Sequence, residues 1–240
     1  MKIRPILFNT DMVRAILDGR KNVTRRILKF PSYVQKQDSE HYTLFADGIC
    51  YENQYLEQIL NYLKKPYNPG DILYVRETWG TQQSDTCIGN TPGRSCTYDS
   101  CETAPGPCFD EEYIYKATDN LDSSTGKWHP SIHMPKEAAR IWLRVTDVRV
   151  ERLHEMKLDD FLSEGICIRM EGCRFLTPEA FNDPDNAYIQ ARNEFMETWN
   201  STIPKGQQDQ YGWEANPWVW VIEFEPCRKP EAAGGEIPCR

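Results

Sequence analysis

Thr-Asp-Met-Val-Arg-Ala-Ile-Leu-Asp-Gly-Arg-Lys-Asn-Val-Thr-Arg-Arg-Ile-Leu-Lys, residues 10 to 29, holds a helix start, a buried stripe and a helix stop in one run. Thr10 is a good N-cap, because its hydroxyl accepts from a free backbone N–H of the first turn, and Asp11 stands at the positive end of the helix dipole. Val13, Ile16 and Leu17 have the i, i+3, i+4 spacing of a buried helix face. Gly19 stops the helix, since a residue without Cβ takes the left-handed C′ conformation at little steric cost. Just past the stop come Arg20, Lys21, Thr24, Arg25 and Arg26. They form a polar group on a turn anchored by a packed helix, and loops positioned in this way are where function concentrates.

Working outward, residues 3 to 8 and 23 to 29 read as strands on either side of the helix. Tyr42 to Ala46 and Ile49 to Glu52, joined by Asp47-Gly48, have the pattern of a hairpin with the turn dipeptide in the middle. Tyr55, Leu56, Ile59, Leu60 and Leu63 make a helical stripe that Pro66 and Pro69-Gly70 end. Ile72 to Trp79 reads as a strand whose alternation places Leu73, Val75, Glu77 and Trp79 on one face. A carboxylate among apolar neighbours needs a partner when buried: a cation or amide of a central cleft, or a surface pair of the Arg76 type at its rim.

Residues 80 to 111 read as a polar insertion, followed by a strand from Tyr113, a helical turn over 135–141 and a long strand from Trp142 to Val150. Leu158, Phe161 and Leu162 mark a short helix with Glu164 in its last turn and Gly165 as its stop. A longer helix from about Asn186 to Trp199 buries Tyr188, Ala191, Phe195 and Trp199. The last strand, Trp218 to Glu225, aligns Trp218, Trp220, Ile222 and Phe224, and the Pro/Gly/Ala-rich residues 226–240 read as a flexible tail. Strands and short helices without a regular βαβ rhythm indicate an α+β fold rather than a Rossmann sheet, and the glycines form no dinucleotide or phosphate-loop pattern.

The chain carries 28 Lys and Arg against 36 Asp and Glu, a net charge of −8. That balance argues against nonspecific coating of nucleic acid. Residues 1 to 30 run the other way, with eight basic residues (Lys2, Arg4, Arg14, Arg20, Lys21, Arg25, Arg26, Lys29) against Asp11 and Asp18. A local positive site on an acidic body suits a small anionic or nucleotide ligand, or one short nucleic-acid segment; solvated helix-end charges are the plainer alternative. No apolar run reaches the ~18 residues of a membrane span, and the charges Asp11 and Arg14 interrupt any signal-peptide core, so a cytoplasmic location is expected. Nine cysteines in a reducing compartment point to free thiols or metal rather than a disulfide framework. Cys87, Cys96, Cys101 and Cys108 of the insertion are the candidate structural zinc ligands, with free thiols as the alternative.

The turn after the helix resembles the signature of the ASCH family, Gly-x-Lys-x-x-Glu-x-Arg, a branch of the PUA-like β-barrels. Gly19, Lys21 and Arg26 match it, and Thr24 stands at the Glu position, as in the bacterial acetylcytidine amidohydrolases of that superfamily. Pro69 to Trp79, Pro130 to Lys136 and Asn216 to Trp220 also resemble ASCH proteins of phages and prophages. The resemblance spans most of residues 1–225, apart from the stretch near 80–111. It implies one ASCH/PUA-like domain over 1–225, a mostly antiparallel β-barrel decorated by short helices, with insertions at about 31–68 and 80–111. It implies recognition of a nucleobase, modified nucleoside or short RNA segment in the barrel cleft. In its enzymatic form it implies hydrolysis of an acyl amide on cytidine without a catalytic cofactor, and it carries the third catalytic position onto Glu164.

Thr24 is a poor nucleophile until a base takes its proton, and Lys21, three residues away, acts as that base only with a lowered pKa. Arg25, Arg26 and burial all push it down. The expected catalytic set is therefore Lys21, Thr24 and Glu164, with Arg20, Arg25, Arg26, Glu77, Trp79 and His133 as ligand contacts. The alternatives are a non-catalytic RNA- or nucleotide-binding module, or a protein-interaction module that reuses the barrel. Trp79, Trp218 and Trp220 offer stacking faces for a base, although tryptophans on strands more often belong to a core. His129 and His133 have the i, i+4 spacing of a metal pair, but Pro130 between them breaks a regular helix.

Overall fold

A computed structural model of the chain describes residues 1–38, 40–46, 48–87, 109–119, 127–167 and 184–230. In chain order the first elements are β1 (Ile3–Leu7), α1 (Thr10–Leu17), β2 (Val23–Ile27), β3 (Val34–Lys36), β4 (His41–Ala46), β5 (Ile49–Tyr55) and α2 (Leu56–Ile59). After them come β6 (Ile72–Arg76), β7 (Trp79–Cys87), β8 (Phe109–Tyr115), β9 (Trp142–Arg152), α3 (Leu158–Ser163), α4 (Pro184–Thr202), α5 (Gln208–Tyr211) and β10 (Trp218–Cys227). The protein is mixed α/β with mostly antiparallel pairing and short helices, and among the described residues no sheet closes into a barrel. None of the described helices is long and apolar enough to cross a membrane. Two compact units emerge, each discontinuous in sequence. Unit 1 comprises 1–2, 19–71 and 144–225, and unit 2 comprises 3–18, 72–143 and the chain from 226.

In unit 1, β9, β10 and β2 lie side by side in that order. β10 and β2 pair antiparallel, from Val219↔Ile27 to Glu223↔Val23. Helix α4 packs Ala187, Ala191, Phe195 and Trp199 against Val23, Val219 and Val221. The four-residue spacing keeps these side chains on one helix face. β10 is thus buried on both sides, with Trp220, Ile222 and Phe224 on the face away from α4. The expected apolar face of this strand was half of its burial. Tyr188 is only partly buried and Ala187 holds the inner position instead, four residues before Ala191 on the same helix face. The helix also begins earlier than expected, with a proline in its first turn where no N–H is missed.

The second sheet of unit 1 runs β3–β4–β5. The expected hairpin is present, from Ala46↔Ile49 to His41↔Tyr55, with a register irregularity between Tyr42 and Leu44. Tyr42 is buried, and its hydroxyl accepts from Trp218 Nε1 at 2.7 Å. The Arg152 guanidinium covers the Trp218 ring at 4.2 Å, so this tryptophan is held by polar neighbours rather than in the apolar core.

In unit 2, β1 and β6 pair in parallel, from Ile3↔Ile72 to Leu7↔Arg76. Helix α1 is capped by Asn9 rather than Thr10: Asn9 Oδ1 accepts from Met12 N at 2.8 Å, and Thr10 is the first helical residue. Ala15 is buried with Val13 and Ile16, whereas Leu17 is exposed. Gly19 has φ +72°, the left-handed stop its position predicts.

The strand expected over 72–79 breaks after Arg76 and restarts as β7. β7 pairs antiparallel with β8, from Trp79↔Tyr115 to Cys87↔Phe109, so a hairpin occupies both ends of the stretch expected to be an irregular insertion. Aromatic and β-branched cross-strand neighbours such as Thr81 and Tyr113 favour this pairing over a loop. The middle of that stretch, 88–108, and the expected tail beyond 230 lie outside the described residues. The helical turn expected at 135–141 is replaced by a single 3-10 turn at Ser131–His133 and a bend in which Ala139 N donates to Lys136 O.

Candidate functional site

The site is built where β2 begins and α3 ends, both in unit 1. α3 closes with paired backbone bonds, Ile166 N to Phe161 O at 3.1 Å and Gly165 N to Leu162 O at 2.8 Å. Gly165 has φ +92°, as this helix ending requires, and Ile166 packs on the cluster that holds Phe161. Glu164 is therefore the C-cap, delivered at a defined angle. Lys21 forms an antiparallel bridge with Glu164, Asn22 N donates to Ser163 O at 3.0 Å, and Phe224 N donates to Asn22 O at 2.9 Å. Backbone bonds on both sides fix the two residues ahead of β2.

Lys21 Nζ donates to Glu164 Oε2 at 2.5 Å, to Val23 O at 2.7 Å and to Glu164 O at 2.9 Å. Three acceptors for three N–H groups is the coordination of an ammonium. The Lys21 side chain is fully buried and that of Glu164 nearly so. Burial pushes the Lys21 amine below its ordinary value, Glu164 pulls it back up, and Arg26 and Arg25 add to the lowering. The acceptor geometry nevertheless calls for the charged form at rest, and a base role requires Lys21 to give up one of these contacts.

Arg25 is fully buried and meets three carboxylates: Asp160 Oδ1 at 2.8 Å, Glu164 Oε1 at 3.3 Å and Glu151 Oε2 at 3.4 Å. Asp160 uses its other oxygen to accept from Lys157 N at 2.9 Å, which caps α3. Thr24 and Arg26 project from the opposite face of β2 to Arg25. In the β2–β10 register Thr24 stands across from Ile222 and Arg26 across from Trp220. Burial lowers the Arg26 pKa, with Tyr67 and Glu164 acting against it, yet a guanidinium stays protonated in such a setting. Arg20 Nη1 donates to Gly165 O at 2.6 Å and reaches Cys167 Sγ at 2.9 Å, fastening the segment just beyond Glu164.

The structure thus brings together, in unit 1, Arg20, Lys21, Thr24, Arg25, Arg26 and Glu164. The other expected ligand contacts, Glu77, Trp79 and His133, belong to unit 2. Glu77 is 1 % exposed and paired with Arg140, Nε to Oε1 and Nη2 to Oε2 both at 3.0 Å. Its partner is this bidentate guanidinium, not a pair of the Arg76 type. Arg140 also donates to Thr118 Oγ1 at 2.9 Å and lies 4.0 Å over the Tyr115 ring. Burial raises the Glu77 pKa and Arg140 opposes the rise. Trp79 is half-buried between His129, 5.0 Å away, and Tyr113, 5.8 Å away, and its indole N–H has no hydrogen-bond partner. His133 is exposed in the 3-10 turn.

Of the candidate zinc ligands, Cys96, Cys101 and Cys108 lie outside the described residues, and only the strand position of Cys87 is defined. Among the described residues no group of His, Cys, Asp and Glu is arranged to hold a metal ion. Sequence reasoning missed Glu151, Asp160 and Arg140. The signal for Asp160 was present, since Asp159 and Asp160 ahead of Phe161 make the acidic first turn of a helix; nothing local marks Glu151 or Arg140 as partners of residues over 60 positions away. Family models, curated proteins and solved structures yield no match to this chain.

Proposed function

We propose that unit 1 recognises a nucleobase, as a modified nucleoside or within a short RNA segment, at the face of β2 that carries Thr24 and Arg26. The observation that carries this reading is the buried charge cluster of Lys21, Glu164 and Arg25 directly behind that face. Buried ion pairs are weak devices for stability, because desolvation offsets most of the attraction, so their presence beside a hydroxyl and a guanidinium marks a site. Arg26 and Thr24 set among Trp220 and Ile222 match the usual make-up of a small-ligand site, a few polar groups within apolar walls. The ASCH resemblance of Gly19, Lys21, Thr24 and Arg26 supports the same reading, and with it goes the PUA-like arrangement of the strands. The test is NMR titration with cytidine, N4-acetylcytidine and a short single-stranded RNA. Ligand-dependent shifts at Thr24 and Arg26, lost in Arg26→Ala, are expected; no shift with any of the three ends the proposal.

A second reading, hydrolysis of an acyl amide on cytidine, is favoured by the 2.5 Å contact of Glu164 with a lysine whose pKa burial lowers. This reading needs Lys21 first to lose a proton to solvent and to release Val23 O. The neutral amine, oriented by Glu164, then turns to Thr24 and accepts the hydroxyl proton as Thr24 Oγ attacks the acyl carbonyl. The proton passes to the exocyclic amine of the departing cytosine, and water then cleaves the acyl-threonine to acid and free Thr24. Thr24→Ala should abolish acetate release from N4-acetylcytidine and leave binding nearly intact, because the hydroxyl acts mainly in the transition state. Binding by the wild type with no acetate released removes hydrolysis and leaves recognition standing.

A further inference from the structure

We infer that Arg25 is a positioning residue for Glu164 rather than a ligand contact. The inference deepens the reading of the Lys21–Glu164 site and rests on it for the purpose of that site, though not for how Glu164 is held. Arg25 shares the β2 face of Val23, the face covered by the α4 cluster, and its side chain has no exposure. Both terminal nitrogens of this guanidinium are taken by carboxylates, and its Nε, the one nitrogen without a hydrogen-bond partner, is buried away from any ligand.

What it can do is divide its two terminal nitrogens. Nη1 takes Glu164 Oε1, while Nη2 is anchored by Asp160 Oδ1 and Glu151 Oε2. Glu164 Oε2 is left to Lys21. The carboxylate is thereby gripped at both oxygens, and its free rotation about the last side-chain bond is removed. The anchors are themselves held. Asp160 caps α3, and Glu151 Oε1 accepts from Arg149 Nε at 2.5 Å, with Arg149 also paired to Asp147 and Glu223. Alternating charges therefore run from Lys21 through Glu164, Arg25 and Glu151 to Arg149. Arg26 lies close enough to lower the Lys21 pKa, and is itself acted on by Tyr67 and Glu164. Only a planar fork serves at the Arg25 position, since an ammonium is a point charge and cannot hold separate carboxylates in fixed directions.

The experiment uses the chain of residues 1–240 without ligand, so it does not depend on any ligand. Proton exchange of the Lys21 ammonium is measured by 15N NMR, and rotamer averaging of Glu164 by side-chain 13C couplings. Arg25→Gln should turn Glu164 from one rotamer to an average. By loosening the Glu164 Oε2 contact with Lys21, it should also speed Lys21 ammonium exchange, in spite of the opposing effect of removing a neighbouring cation. Arg25→Lys should not restore either property. Asp160→Asn should move both in the same direction by less. A folded Arg25→Gln protein with unchanged exchange and a single Glu164 rotamer overturns the assignment, as does full restoration by Arg25→Lys. If Arg25→Gln does not fold, Asp160→Asn decides, and an unchanged Lys21 and Glu164 there overturns it equally. Failure of all nucleoside binding alongside these NMR changes would remove the proposed function and leave Arg25 assigned.

Discussion

At the residue scale, Lys21 and Glu164 are the pair on which the site depends, and the pair is buried. Removing one partner of such a pair leaves an uncompensated charge away from water. Lys21→Met or Glu164→Leu alone should each cost about 3–5 kcal/mol of stability in urea unfolding, whereas the double replacement should cost far less than the sum. Additive losses would show that the two side chains do not act on each other. The lowered pKa of Lys21 has its own signature. Below the lowered value both folded and unfolded chains hold the proton; between it and the ordinary 10.5 only the unfolded chain does. The unfolded state then binds more protons, so stability from this group rises with pH in that window. The stability gap between wild type and Lys21→Met should widen from neutral to alkaline pH, and a flat gap would mean that burial does not lower the lysine.

At the element scale, short helices present the site residues, and their ends rest on single residues. Gly165 at φ +92° lets α3 finish so that Glu164 faces Lys21. Gly165→Ala should cost about 1–2 kcal/mol, the penalty for an L-residue in the left-handed region, and should weaken ligand binding through the displaced carboxylate. Retained stability together with retained binding would show that the turn is not what aims Glu164. In unit 2, Asn9→Ala should remove about 1 kcal/mol through loss of the α1 cap, while Thr10→Ala should cost little; the reverse order in thermal melts would restore Thr10 as the cap.

At the scale of the whole molecule, the charge distribution limits what nucleic acid can do. The chain is −8 overall, and the excess of basic residues in its first 30 positions overstates the positive field. Lys21 is buried against Glu164 and Arg25 against three carboxylates, so neither is left to neutralise phosphate. Affinity for single-stranded RNA should therefore fall only gently with salt, by a slope worth a few phosphates at most. A slope of roughly six to ten phosphates would require a basic surface that these residues do not provide.

The sequence by itself determined the local punctuation and the apolar faces. Gly19 and Gly165 as stops, the hairpin of β4 and β5, the short helix before Glu164 and the long helix of α4 follow from backbone preference and periodicity, which act over a few residues. It also picked out Lys21, Thr24 and Glu164 as residues to examine together, through a resemblance and not through spacing. Pairing across the chain was decided only by the tertiary structure. Arg25 meets Glu151 and Asp160, Glu77 meets Arg140, and β7 finds β8 because folding juxtaposes strands and helices distant in sequence. A buried charge announces that it needs a partner, but the partner is whichever opposite charge the packed elements bring within a few ångströms. That is why Arg25 reads from sequence as a ligand contact and from structure as the clamp on Glu164.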